Sequence, residues 1–327
     1  MIAFLRKYWG ICAVCLCCHS FTSFGQNDSN LDLSAIDDLL SEEKIIEAES
    51  LLQQKLSFFL SNNQIDSLYQ FPLYIGSIEA KKSNTTEAAK KAESFIADLK
   101  SRTDNPRILF KTYLSLDKLY VQLGDDASSV IASKKALDYA KATSDITPIE
   151  LGEINYAIGG NYYALYDLSN ALTYFRASAN AYESTETAKK DKLADAYNGI
   201  AVSMWTLNKL DSAAIYFHKA IASTKESKLE AFDRDYYIVA FQFNLALVVD
   251  AQGHLNEAIE IKKDLISKLQ DIIKGSKDEA LVKKSKRLQA SAISNLAAFY
   301  NDTGYYTRAY ELLKYAHEKK KELYDLD

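Results

Sequence analysis

Apolar residues recur with a helical period along most of the chain. In residues 295–316, "NLAAFYNDTGYYTRAYELLKYA", one apolar stripe runs up to Tyr300, and a second begins after Gly304 and includes Ala309 and Ala316. Residues three and four apart lie on one face of a helix. The pattern therefore predicts two helices joined by a turn, in which the glycine allows a left-handed conformation at the end of the first helix.

The same two-helix pattern returns along the chain. Each copy carries a small residue in its second helix, which we call the marker residue, and we expect it where two helices cross closely. The markers are spaced 40 to 51 residues apart, at Ala48, Ala88, Ser129, Ala171, Ala213, Ala258 and Ala309. A hairpin of two helices cannot bury its own apolar faces, so copies of it must stack. The sequence predicts an all-α fold of about seven helical hairpins, with approximate units at residues 31–62, 66–101, 107–143, 150–184, 191–225, 236–272 and 288–324.

The repeated unit resembles the tetratricopeptide repeat (TPR), whose pattern is W-x2-L-G-x2-Y followed by A-x3-F. Ile158, Gly159 and Tyr162 match the L-G-x2-Y part in one unit, and Ala171 with Phe175 matches the A-x3-F part. The tryptophan and the closing proline of the pattern are absent. The period of about 42 residues is similar to that of kinesin light chains and of many bacterial signalling and protease-associated arrays. The resemblance implies an α-α superhelix, a right-handed TPR solenoid with a concave groove lined by first helices.

The first 25 residues differ in character from the rest. Arg6 and Lys7 precede an apolar run that ends at Cys18, and a stretch of small residues follows. This order is typical of a secretory signal peptide, and the apolar run is too short to span a bilayer. We expect cleavage near Gly25 and a TPR array over residues 26–327, exported to the periplasm or the outside of a bacterial cell. The alternative is an ordinary buried N-terminal helix.

Removal of this leader changes the chemistry of the chain. All four cysteines lie in it, at Cys12, Cys15, Cys17 and Cys18, so the mature protein is expected to have no disulfide and no cysteine ligand or nucleophile. The formal net charge of −5 becomes more negative, because the leader contributes two basic residues and no acidic one. An acidic surface repels phosphate backbones, so we expect no nucleic-acid partner.

No set of residues has the spacing of a catalytic or metal site. The mature chain has three histidines, His218, His254 and His317, which occupy different positions of different units. The glycine pair Gly159–Gly160 lacks the third glycine and the lysine of a phosphate-binding loop, and close helix packing explains Gly159 better. We therefore predict that the chain is no enzyme and uses no cofactor and no metal.

Two classes of function remain open. The first is an exported, non-enzymatic scaffold that binds a protein or peptide through the groove. The second is the recruiting or sensory region of a larger protein, whose effector domain would lie beyond residue 327. The resemblance implies a caspase-like peptidase, a histidine kinase or a DNA-binding module as that effector.

The resemblance to TPR arrays also points to candidate groove residues, because that family often places asparagine on its first helices to hold a peptide backbone. A side-chain amide both donates and accepts hydrogen bonds, so it can pair with any extended peptide. Two aromatic residues one turn further on could hold a side chain. The alternative is that the asparagines bridge adjacent helices and the aromatic residues serve packing. The candidates are Asn198, Asn244, Asn295, Tyr163, Trp205 and Asp250.

Two further segments stand out. Residues 273–287, "IKGSKDEALVKKSKR", are basic and interrupt the period, which indicates either a longer turn with a charged helix extension or a docking patch for an acidic partner. The last helix carries apolar residues on more than one face, including Tyr306, Tyr310 and Leu313. We expect something to pack there, either a further domain or a second copy in self-association. We expect no stable membrane span.

Overall fold

The computed structural model describes residues 33–82, 85–185 and 189–324, and the signal-peptide prediction lies outside them. Within these ranges the chain is helical and contains no β-strand, which confirms the all-α prediction. A short 3-10 helix, Ile65–Gln70, precedes the third of the α-helices. The α-helices are α1 Ser34–Ser41, α2 Ile45–Ser61, α3 Phe71–Lys81, α4 Thr85–Arg102, α5 Pro106–Leu123, α6 Asp126–Ala142, α7 Pro148–Ala164, α8 Leu168–Glu183, α9 Lys190–Thr206, α10 Leu210–Lys225, α11 Ala231–Ala251, α12 Leu255–Gly275, α13 Glu279–Asp302 and α14 Tyr306–Tyr324.

These helices form successive hairpins in two compact units. The N-terminal unit ends at Thr185 and contains the hairpins α1–α2, α3–α4, α5–α6 and α7–α8. The C-terminal unit contains α9–α10, α11–α12 and α13–α14. Within each unit, the second helix of one hairpin packs against the first helix of the next. Successive hairpins thus cover one another's apolar faces, as the repeat predicts.

The marker residues lie where the two helices of a hairpin meet. Six are alanine and one is Ser129, and all seven are buried. In five hairpins a second buried small residue follows one or two turns later. Ser178 shows why small size matters there, since its hydroxyl donates to the carbonyl of Gly152 on the facing helix at 2.7 Å. Gly159 packs just as closely, because a Cβ added there would lie 2.7 Å from Cδ1 of Phe175. The prediction that Gly159 serves helix packing is confirmed.

The turns inside the hairpins share one backbone design. At Gly124, Gly253 and Gly304 φ is 72°, 86° and 85°, so the predicted left-handed glycines are confirmed. The residue after each glycine donates its N–H to a carbonyl five residues earlier, as Asp125 does to Tyr120 at 2.9 Å. This bond and the left-handed residue define a Schellman end of the first helix. The same position is left-handed without glycine in three other hairpins, at Glu43, Tyr166 and Asn208.

The basic segment proves to be helix extension and not a longer turn. Helix α12 continues to Gly275, and α13 begins at Glu279, so three residues connect them. Asp278 caps α13, because its carboxylate accepts from the backbone N–H groups of Ala280 and Leu281 at 2.9 and 3.2 Å. The extra residues thus lengthen α12 and α13, which belong to successive hairpins.

Candidate functional site

A row of asparagine side chains runs across the first helices of the C-terminal unit. Asn198 lies on α9, Asn244 on α11 and Asn295 on α13, and α11 packs against both of the other helices. The Nδ2 group of Asn244 donates to Oδ1 of Asn198 at 3.4 Å. The two residues therefore meet, although Asn198 is one residue out of register with the slot of Asn244 and Asn295. All three side chains are buried.

Each of these amides keeps an unused hydrogen-bonding group. Nδ2 of Asn198, Oδ1 of Asn244 and Nδ2 of Asn295 are enclosed and have no hydrogen-bond partner in the protein. A buried polar group without a partner costs about 1–3 kcal/mol. Nδ2 of Asn198 and Nδ2 of Asn295 can each donate a further hydrogen bond, and Oδ1 of Asn244 can accept one. The Asn198–Asn244 bond also joins α9 to α11, which is what the bridging alternative expects.

A buried ion pair supports Asp250, a second candidate on α11. Its Oδ2 atom lies 2.8 Å from Nζ of Lys262 on α12, and the side chain of Lys262 is almost completely buried. The same ammonium lies 5.8 Å from the ring centre of Phe299 on α13. A charge this deep needs its partner, because an unpaired buried ion is strongly destabilising. Lys262 thus holds the carboxylate of Asp250 in place, and 15% of the Asp250 side chain remains exposed.

The two aromatic candidates lie in different units. Trp205 is buried near the C-terminal end of α9 in the C-terminal unit. Tyr163 is half-buried near the C-terminal end of α7 in the N-terminal unit. The candidate set therefore divides into five residues of the C-terminal unit and Tyr163.

Sequence reasoning missed a buried polar cluster in the N-terminal unit. Oδ1 of Asp117 on α5 accepts from the Ser129 hydroxyl at 2.6 Å and from Nδ2 of Asn161 at 2.7 Å. Asn161 also donates to the Ser133 hydroxyl at 3.2 Å. Burial outweighs these hydrogen bonds and raises the pKa of Asp117 to about 6. Ser129 was the available signal, because it is the one marker that is not alanine.

The described residues offer no constellation for metal chemistry. Among them, no group of three or more histidine, cysteine, aspartate or glutamate side chains is placed to hold a metal ion. His218, His254 and His317 lie exposed on α10, before α12 and on α14. None of the described helices is long and apolar enough to cross a membrane.

Comparison with known proteins identifies the fold. The sequence matches no protein-family model and no curated protein. RapI in its apo form is similar in structure, with a TM-score of 0.61 and 14% identity over 89% of this chain and 76% of that one. A Rap protein complexed with competence and sporulation factor is similar with a TM-score of 0.58 and 16% identity, over 90% of this chain and 77% of that one. The TPR-like repeats of a putative kinesin light chain from Podosopora anserina are similar with a TM-score of 0.53 and 16% identity, over 67% of this chain and 98% of that one. The chain therefore has a fold of the TPR type.

Proposed function

We propose that this protein is an exported, non-enzymatic TPR scaffold that binds an extended peptide segment through the first helices of its C-terminal unit. The unused amide groups of Asn198, Asn244 and Asn295 carry this proposal. Asn198 and Asn244 are fully buried, so a peptide must displace the side chains that cover them. Its backbone would then satisfy groups that the protein leaves unpaired, and binding would recover free energy lost on folding. Backbone recognition of this kind does not depend on the peptide's side chains.

Two further observations support the same site. Asp250 and Trp205 lie one to two turns further along α11 and α9, where they could recognise a basic group and an apolar side chain. A similar fold was solved as a Rap protein complexed with competence and sporulation factor. This likeness is an analogy of fold, so the residues of the site carry the argument.

The test separates binding from stability. Extended peptides are selected against the purified chain from a random library, and their dissociation constants are measured by calorimetry. We expect Asn244→Ala with Asn295→Ala to weaken binding by about 1–3 kcal/mol at unchanged helicity, because peptide groups lose their partners. The matched control is Asn256→Ala, which removes an exposed amide of the same unit.

The competing role of the asparagines predicts the opposite result. If they only bridge adjacent helices, the double variant melts at a lower temperature while binding per folded molecule is unchanged. That outcome would remove the proposed site.

Export is a separate part of the proposal. It rests on the order of charge, apolar run and small residues in the first 25 positions. Sequencing the N-terminus of protein recovered from the cell envelope should show a start within a few residues of Gln26. Recovery from the cytoplasm with Met1 retained would contradict export.

A further inference from the structure

The last helix exposes a position that is buried in every other hairpin. Four residues after the marker, the second helices of the first six hairpins carry a side chain that is at most 5% exposed. In α14 this position is Leu313, which is 48% exposed. The buried counterparts are Leu52, Ala92, Ser133, Phe175, Phe217 and Lys262.

In two hairpins the structure shows a following helix over this position. Ser133 on α6 meets Asn161 on α7, and Lys262 on α12 meets Phe299 on α13. In both cases the neighbour is the first helix of the following hairpin. No helix follows α14 among the described residues, and there Leu313 is exposed.

The internal contacts also give the direction of a covering helix. The N-terminal end of a second helix meets the C-terminal end of the following first helix. Asp211, near the start of α10, accepts a hydrogen bond of 2.7 Å from the side chain of Gln252, which follows the last residue of α11. Later in the second helix, the Ile266 carbonyl accepts from Gln289, in the first half of α13, at 3.2 Å. A helix on α14 would therefore run antiparallel to it.

Helix α14 presents a stripe with a basic end, formed by Tyr306, Tyr310, Leu313 and His317. The first three are 68%, 70% and 48% exposed. Exposed Lys314, Lys320 and Lys321 flank the stripe on the side of His317. In an antiparallel arrangement these lysines face the N-terminal half of the covering helix. Acidic residues there would complement the lysines and the positive end of that helix's own dipole.

We propose that this stripe binds an amphipathic α-helix of another protein, antiparallel to α14, with an apolar face and acidic residues in its first turns. The surface lies on a second helix and is separate from the asparagine row on first helices. A second copy of α14 fits less well, because an antiparallel pair would bring the lysines of each copy against the positive N-terminal turn of the other.

The experiment uses two designed helical peptides about 20 residues long, sized to match α14. Both carry leucine at i, i+3, i+4 and i+7 spacing; one has glutamates in its first two turns and the other has lysines. Binding to the full chain is measured by fluorescence anisotropy. We expect the acidic peptide to bind at least about tenfold more tightly, and Leu313→Lys to weaken it by about tenfold or more.

The control variant is Ile215→Lys, which changes another exposed apolar residue on a second helix of the same unit, 56% exposed. It should leave peptide binding within about twofold of the unmodified protein. Equal effects of the two variants, equal binding of the two peptides or no binding of either would overturn the proposal. So would a dimer of the unmodified protein, seen by sedimentation, that Leu313→Lys dissociates, because a second copy would then be the occupant.

Discussion

At the scale of single residues, the hairpin turns show how backbone geometry can override local preference. Five residues before the marker, six hairpins have a residue with positive φ. Three of these residues are glycine, which the sequence predicts. Glu43, Tyr166 and Asn208 adopt the same conformation despite their Cβ atoms. The repeated Schellman hydrogen bonds hold these residues there, and no local signal at Glu43 or Tyr166 reveals it.

Gly124 tests the energetic cost of this conformation. A Cβ added to it would meet no atom within 4 Å, so Gly124→Ala changes only the backbone preference. We expect the free energy of unfolding to fall by about 1 kcal/mol, because an L-residue is strained in the left-handed region. The reverse change, Glu43→Gly, should raise it by several tenths of a kcal/mol. Urea denaturation measures both, and an unchanged midpoint for Gly124→Ala would contradict the assignment of strain.

Asp117 makes the stability of the protein depend on pH. Because burial raises its pKa in the folded state from 3.8 to about 6, the folded protein holds a proton between these values that the unfolded chain has lost. Stability from this group is therefore fully present below pH 4 and declines as the pH rises to about 6, by up to roughly 3 kcal/mol. Above that range the loss is constant.

Asp117→Asn isolates this effect from the other carboxylates. Its amide oxygen can still accept from Ser129 and Asn161, and it has no charge to bury. The variant should match the unmodified protein near pH 4 and exceed it by about 1–3 kcal/mol at pH 7. Urea unfolding at a series of pH values gives the difference. A difference that does not change with pH would show that Asp117 is ionised in both states.

At the scale of elements, much of the fold could be predicted from the sequence, because small residues indicate close helix contacts and apolar stripes indicate buried helix faces. The alanine markers are buried and Gly159 packs against Phe175, both as expected. The basic segment shows the limit of this reading. The change in period predicted a longer turn with a charged helix extension, and only the extension is correct, because a longer period does not show whether the extra residues enter the turn or the helices.

Two adjacent glycines of α7 provide a matched test of helix packing. A Cβ on Gly159 would collide with the Phe175 ring, whereas a Cβ on Gly160 would meet no atom within 4 Å. We expect Gly159→Ala to destabilise the protein by about 1–3 kcal/mol through overpacking. Gly160→Ala should stabilise it by about 0.8–1 kcal/mol, because alanine is the better helix former. Thermal unfolding followed by circular dichroism compares them, and effects of equal sign would argue against close helix contact at Gly159.

At the scale of the whole molecule, stacking of hairpins follows from the sequence but the contacts across helices do not. The repeat predicts hairpins because no single copy can bury its apolar faces. The meeting of Asn198 with Asn244, and of Lys262 with Asp250, depends on how the helices cross in space. Offsets of one residue in the repeat decide such contacts. The sequence therefore predicted that the candidate residues lie on first helices but not which of them touch one another. Its role as a peptide site stays a prediction.

The central claim is that the asparagine amides of the C-terminal unit contact a bound peptide backbone. It is tested most directly by nitrogen-15 labelling of asparagine, with Asn244 and Asn295 assigned from their alanine variants. During titration with a selected peptide, we predict that the side-chain amide signals of both residues shift with the dissociation constant of the peptide, while that of exposed Asn256 stays in place. Stationary Asn244 and Asn295 signals at peptide saturation would contradict the claim.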